Sequence, residues 1–303
     1  MSIPPGQPAG PDQASPQPAC ARHPDRPTGL RCTRCDRPAC PDCLREASVG
    51  YHCVDCLAQS GRAGREAVTV AGARLGGKPI VVPVLIALNV LAYAATAIQA
   101  GSFLDNARSA LFAQFSLFPV GVAGGQWIRL LSSGFLHIGM IHLLMNMVAL
   151  WVIGRDLELV LGRLRFIAVY LLALLGGSAS VFLFGALDTP VAGASGAVYG
   201  LMGGIAVAAL RLKVSLRPVL VVIALNIVLS VSIPGISLLG HLGGLVFGAA
   251  ATAALVYAPR ERRNLVQGSA LAGLLVLLLV ALVVRDVQLG PITCIGGSCY
   301  YLG

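Results

Sequence analysis

The chain has 303 residues, of which 56% are hydrophobic and only 12% charged, with a formal net charge of +9. A soluble domain carries roughly a quarter charged residues, so an ordinary water-soluble globule is excluded. The positive charge does not argue for nucleic acid either: beyond Lys78 nearly every Lys and Arg falls at the end of an apolar run, not in a basic patch.

Residues 1–19 are rich in Pro, Gly, Gln and Ala and are expected to be a disordered lead. No early apolar stretch or small-residue cleavage site is present, so this end is expected in the cytosol. Residues 20–56 then hold seven of the nine cysteines. They fall in pairs: Cys20 with His23, Cys32 with Cys35, Cys40 with Cys43, and Cys53 with Cys56, with His52 beside the last pair. Four pairs suit two tetrahedral zinc sites, whose binding energy would fold a segment too poor in apolar residues to bury a core. Disulfides are the competing reading, which a cytosolic location disfavours. The arginines here lack interleaved aromatics, so no nucleic-acid readout is expected. Residues 57–78, with Arg62, Arg65, Arg74 and Lys78, read as a basic linker.

A span needs about 20 apolar residues to cross about 30 Å of hydrocarbon. Seven segments qualify as candidates: 79–98, 137–154, 164–185, 195–210, 216–233, 236–257 and 268–284. The stretch 99–136, with Phe103, Leu111, Phe112, Phe115, Phe118 and Trp127, is too apolar for a simple connection and predicts a structured, partly immersed loop. With the N-terminus inside, the inner segments hold Arg62, Arg65, Arg74, Lys78, Arg155, Arg163, Arg165, Arg211, Lys213, Arg217, Arg260, Arg262 and Arg263. The outer ones hold only Arg108, Arg129 and Arg285, which fixes the expected orientation by the positive-inside rule. The C-terminus then emerges outside with Cys294 and Cys299, either disulfide-bonded or as two free thiols.

Polar side chains within a bilayer are costly and mark function by default. His142 and Asn146 share one face of the second span at i and i+4. The fourth span opens Gly193-Ala194-Ser195-Gly196, putting Ser195 in the first helical turn, where free N–H groups and the dipole can stabilise an oxyanion. The sixth carries His241, followed by Gly244 and Gly248. Those glycines can pack against Gly196, Gly200 and Gly204, bringing Ser195 and His241 together as nucleophile and base. A serine between glycines is by itself commonly a packing residue; the matching histidines and asparagine on other spans reverse that reading. No Asp or Glu is available for a third member, so a Ser–His dyad is expected, with Tyr199 one turn beyond Ser195 stacked on the imidazole. His137 is read as a structural hydrogen bonder at the outer surface in preference to a ligand for substrate, Asn89 and Asn226 as bonds between helices, and Glu158 and Arg129 as scaffold.

Together the run from Trp127 and Arg129 to His137, His142 and Asn146, the Gly193-Ala194-Ser195-Gly196 motif with Tyr199, His241 with Gly244 and Gly248, and the Gly154, Glu158, Gly162 series resemble the rhomboid family of intramembrane serine proteases. The resemblance covers about residues 80–260. It implies an all-α polytopic protein with a six-helix core (79–260) and, after it, a seventh helix with an outward tail (261–303). It further implies a serine endopeptidase that cuts transmembrane segments of single-span proteins near the outer leaflet, with no metal in the chemistry. Its oxyanion would be held by His142, Asn146 and the N–H of Ser195. The cysteine segment resembles a B-box-type zinc finger, whose cross-brace would pair Cys20 and His23 with Cys40 and Cys43, and Cys32 and Cys35 with Cys53 and Cys56; sequential pairing, or His52 as a ligand, stays open. Such a module is expected to be structural or to bind a cytosolic protein partner. The alternative is a non-catalytic rhomboid-like protein recruiting partners through that finger, although such relatives typically lack the serine or histidine kept here. A transporter would show paired internal repeats, and none is visible. The Ala, Gly, Val and Arg bias points to a GC-rich bacterial source, and the expected location is the plasma membrane.

Overall fold

A computed structural model describes residues 17–63, 68–295 and 298–301. The expected lead up to residue 16, residues 64–67 of the expected linker, and the side chains of Cys294 and Cys299 lie outside the described part. The chain divides into two compact units, Met1–Ala67 and Val68–Gly303.

In the first unit β1 (Leu44–Glu46) and β2 (Tyr51–Cys53) pair as an antiparallel hairpin, Leu44 opposite Cys53, and lead into α1 (Val54–Ala63). Its buried cluster consists of Cys20, Cys32, Cys40, Cys43, Cys53 and Cys56 with only Ala39 and Leu44 added. The thiols thus occupy the place of an apolar core.

The second unit is helical. α2 (Val81–Ala100) is followed by the loop region, built of α3 (Ala110–Phe115), α4 (Pro119–Ala123) and α5 (Arg129–Ser132). Buried Arg129 donates to the Ala113 and Ser116 carbonyls at 2.8 Å, satisfying backbone groups that an apolar loop would otherwise leave unpaired. α6 (Gly139–Ala149) passes through a π-helical turn, Leu150–Gly154, into α7 (Arg155–Leu161). Then come α8 (Arg163–Phe184), α9 (Ser195–Leu212), α10 (Arg217–Ser232), α11 (Leu238–Val256) and α12 (Arg263–Leu289), closed by the hairpin β3 (Ile292–Ile295) and β4 (Ser298–Tyr301), whose register sets Cys294 opposite Cys299.

These helices fall on all seven expected segments. Five are long and apolar enough to cross a membrane, and a sixth span counts if Arg129–Phe135 and Gly139–Leu161, bent by 91°, are taken together. α10 has 16 residues, about 24 Å, and is the shorter apolar helix of the set. The expected linker is structured at both ends: 57–63 continue α1, while Thr69 donates to the Val160 carbonyl and Ala71 accepts from Gln267 of α12.

Backbone polar groups in lipid must be satisfied within the protein, and the start of α2 shows how. Ile80 offers no side-chain cap; instead buried Glu158 of α7 accepts the N–H groups of Ile80, Val81 and Val82 at 2.7, 3.0 and 2.9 Å. α8, α9 and α11 form the tightly packed centre. A methyl group at Gly244 or Gly248 of α11 would fall inside the backbone of Gly196 or Gly200 of α9, so only glycine permits this approach. Gly204 faces Thr252 and Leu157 instead of another glycine.

Candidate active site

The segment before α9 is pinned from two sides. Leu117 and Val191 exchange backbone hydrogen bonds at 2.9 and 2.8 Å, and Gly193 donates to the Ser133 carbonyl at 3.0 Å. Gly193 then turns with φ +138°, a conformation that side-chain-bearing residues rarely adopt. Ser195 becomes the first residue of α9, where the opening N–H groups have no acceptor in their own helix.

α11 meets this point with its first turn, capped by Ser237, whose hydroxyl accepts from the Gly240 N–H at 3.2 Å. His241 Nε2 lies 2.8 Å from Ser195 Oγ. Its ring stacks on Tyr199 with centroids 4.0 Å apart and planes 12° from parallel. Behind the ring, Ser230 of α10 reaches His241 Nδ1 at 2.7 Å and the Tyr199 hydroxyl at 2.8 Å, and donates to the Asn226 carbonyl at 2.7 Å. Sequence reasoning missed Ser230. As one of many serines in apolar helices, it offers no signal until the fold sets it behind His241.

His142 stands on the other side of Ser195. A Cβ built at Gly193 would be 2.9 Å from His142 Nε2 and 3.5 Å from Ser195 Oγ, so both groups border the small space over that glycine. Asn146 follows one turn later, its amide donating to the His142 carbonyl at 2.9 Å. His137 does not lie at the outer surface. It is fully buried, packs edge-on against His142 at 5.1 Å and accepts from the Ala194 N–H at 3.4 Å through Nε2. Asn106 is a second buried residue that the sequence did not single out; it donates to the His137 carbonyl and accepts from Gly139, tying the loop to the start of α6. Asn89 and Asn226 each donate to a carbonyl four residues earlier in their own helix, Leu85 at 2.7 Å and Val222 at 2.9 Å, as short amide side chains readily do; Asn89 also engages the Tyr170 hydroxyl of α8, the expected link between helices.

A cavity of about 830 Å³ opens onto Ser195, His241, His142 and Asn146. Its walls are mostly apolar, lined by Ile141, Met145 and Val148 from α6, by Val222 and Leu229 from α10, and by Ile233 just after α10. It therefore offers an apolar groove that ends on four polar side chains.

In the first unit, Cys20, His23, Cys40 and Cys43 converge in one group and Cys32, Cys35, Cys53 and Cys56 in another, with the donor atoms of each within 4.8 Å of one another. Tetrahedral ligands around zinc sit about 3.8 Å apart for two sulfurs and slightly closer for sulfur and nitrogen. His23 Nδ1 is 3.9, 3.4 and 3.3 Å from the sulfurs of Cys20, Cys40 and Cys43, and Cys35 and Cys53 are 3.8 Å apart. This is the interleaved pairing. His52 joins neither group: it sits on β2 opposite Arg45. No disulfide joins the seven thiols. Without a cation they cannot all ionise. Backbone N–H groups around Cys40 pull the Cys20 thiol down to about 6, while burial and the neighbouring Cys40 and Cys20 sulfurs push Cys43 up to about 11. The Cys35 sulfur and burial push Cys56 up to about 12. Each cluster is thus a donor set suited to a metal ion.

Residues 124–258 match the family model described as Rhomboid domain. The chain is 36% identical over 192 residues to the Rhomboid protease GluP of Bacillus subtilis (strain 168), covering 62% of this chain and 37% of that protein. It is 37% identical over 134 residues to RHOMBOID-like protein 4 of Arabidopsis thaliana, covering 42% and 34% respectively. With Rhomboid-related protein 2 of Mus musculus it shares 42% identity over 76 residues, 25% of each chain. The chain thus spans little more than a third of the length of the first two of these curated relatives.

Proposed function

We propose that this chain, which belongs to the rhomboid family, is a multi-pass intramembrane serine endopeptidase acting on single-span membrane proteins. The observation that carries the reading is the 2.8 Å contact between Ser195 Oγ and His241 Nε2 at the floor of an apolar groove. A relative that merely bound its partners would have no need of that pair.

The chemistry follows from the geometry. As Ser195 Oγ bonds to the scissile carbonyl carbon, its proton passes to His241 Nε2. The carbonyl oxygen becomes an oxyanion in the space over Gly193. The His142 ring, the Asn146 amide and the opening N–H of α9 at Ser195 are the donors that can approach it. His241 then gives its proton to the departing amine as the C–N bond breaks. Water entering the cavity repeats the sequence on the acyl ester, restoring Ser195. Tyr199 holds the imidazole flat through both halves.

The two clusters of the first unit are read as structural zinc sites, each with four protein ligands and no open position for catalysis. The positive-inside rule sets the module in the cytoplasm, the groove toward the outer leaflet and the C-terminal hairpin outside.

The test uses the purified full chain in lipid vesicles with a single-span substrate. Wild type should cleave it, and Ser195→Ala and His241→Ala should each lose at least about 1000-fold in kcat. Fluorophosphonate labelling should disappear in Ser195→Ala. Cleavage at the wild-type rate in either variant refutes the assignment.

A further inference from the structure

Three groups converge on Ser230 Oγ: His241 Nδ1 at 2.7 Å, the Tyr199 hydroxyl at 2.8 Å and the Asn226 carbonyl at 2.7 Å. A serine hydroxyl has one proton to give and two lone pairs to receive. The carbonyl carries no proton, so it can only accept. If Ser230 donates to it, both lone pairs remain free, one for the Tyr199 hydroxyl and one for an Nδ1–H of His241. Every donor and acceptor of this buried set is then satisfied. The consequence reaches Ser195. With the ring proton on Nδ1, Nε2 is bare and faces Ser195 Oγ at 2.8 Å, which is the tautomer a general base needs. Were Ser230 instead to donate to Nδ1, the ring proton would sit on Nε2, and Ser195 would have no acceptor.

We propose that Ser230 is a positioning residue for the reaction. It stands where serine proteases of the triad type keep a carboxylate, and it fixes the tautomer and plane of His241 with a neutral hydroxyl backed by a main-chain carbonyl. Its location is telling: it is the buried residue of α10, whose other described side chains are half-buried or exposed. A helix with a single fully buried side chain therefore supplies the group that orients the base. This inference rests on the protease reading above and deepens it.

The test compares Ser230→Thr, which keeps the hydroxyl, with Ser230→Val, of the same shape without it, and adds ¹⁵N NMR of the full chain labelled at histidine, with His241 assigned by its loss in His241→Ala. Ser230→Val should lose about 100-fold in kcat with KM within about threefold of wild type, and Ser230→Thr should keep most of the activity. The wild-type ring should be protonated at Nδ1, and that preference should fade in Ser230→Val. Equal activity in the two variants, or a wild-type ring protonated at Nε2, overturns the proposal. The second result decides the matter even if both variants fail to fold. A wild type that neither cleaves nor takes up fluorophosphonate would overturn the protease reading instead, while the ring tautomer would still report whether Ser230 orients His241.

Discussion

Ser195 and His241 are 46 positions apart in sequence, yet their side chains meet at 2.8 Å because the glycines of α9 and α11 let the two helices pack backbone to backbone. Gly193 is central to this. Its φ of +138° turns the chain, and its missing Cβ leaves room for the His142 ring. The small space it creates is where an oxyanion would form. His142→Ala should therefore lower kcat by about 100- to 1000-fold, the cost of one oxyanion donor, while Ser195 still reacts slowly with fluorophosphonate. A variant within threefold of wild type in kcat would remove His142 from the oxyanion site. At this scale, Ser195, His241, His142 and Asn146 were legible in the sequence because glycine neighbours and helical spacing single them out. Ser230 and Asn106 were not. Their meaning is a set of hydrogen-bond partners supplied by other helices, and a serine or asparagine shows no such partners in one dimension.

The helices themselves were legible because lipid leaves a long apolar run little choice but to form one. Their breaks were not. The π-helical turn at Leu150–Gly154 and the 91° bend before Gly139 arise from packing. At Gly154, for instance, a Cβ would stand 2.9 Å from a Val82 methyl of the neighbouring α2. Glu158 links the same two elements. Its buried carboxyl group accepts three N–H groups at the start of α2, which supply the hydrogen bonds a polar group needs away from water. Glu158→Ala takes the side-chain acceptor from all three N–H groups, among them that of fully buried Val82. It should cost about 3 kcal/mol, seen as a lower unfolding temperature in detergent and faster proteolysis near residues 75–82. Glu158→Gln, which keeps an acceptor oxygen, should cost less. An unchanged unfolding temperature in the alanine variant would show that α2 is held by its apolar face instead.

Across the whole molecule the two units obey different physics. The membrane unit carries several basic side chains at the end where α8 and α12 begin and α9 and α11 finish: Arg211 donates to the Val256 carbonyl, Arg165 to Gln267, and Glu158 caps α2 just past Lys78. Ser195 and His241 open the far ends of α9 and α11. Among its described residues the first unit has no comparable apolar interior, and its buried cluster is almost entirely cysteine. Such a cluster is suited to hold metal, because thiols pushed up to about 11 and 12 by burial and by neighbouring sulfurs ionise readily only beside a cation. Native mass spectrometry of the full chain should therefore find about two zinc ions. Cys20→Ser and Cys32→Ser should each lose one, since they belong to separate tetrads, and the double variant should lose both. Stripping the metal with a chelator should loosen the backbone around the exposed Arg31 and Arg45 and speed their cleavage by trypsin, and added zinc should reverse this. A chain free of metal, with its cysteines oxidised in pairs, would replace the two zinc centres by disulfides and move this unit out of a reducing compartment.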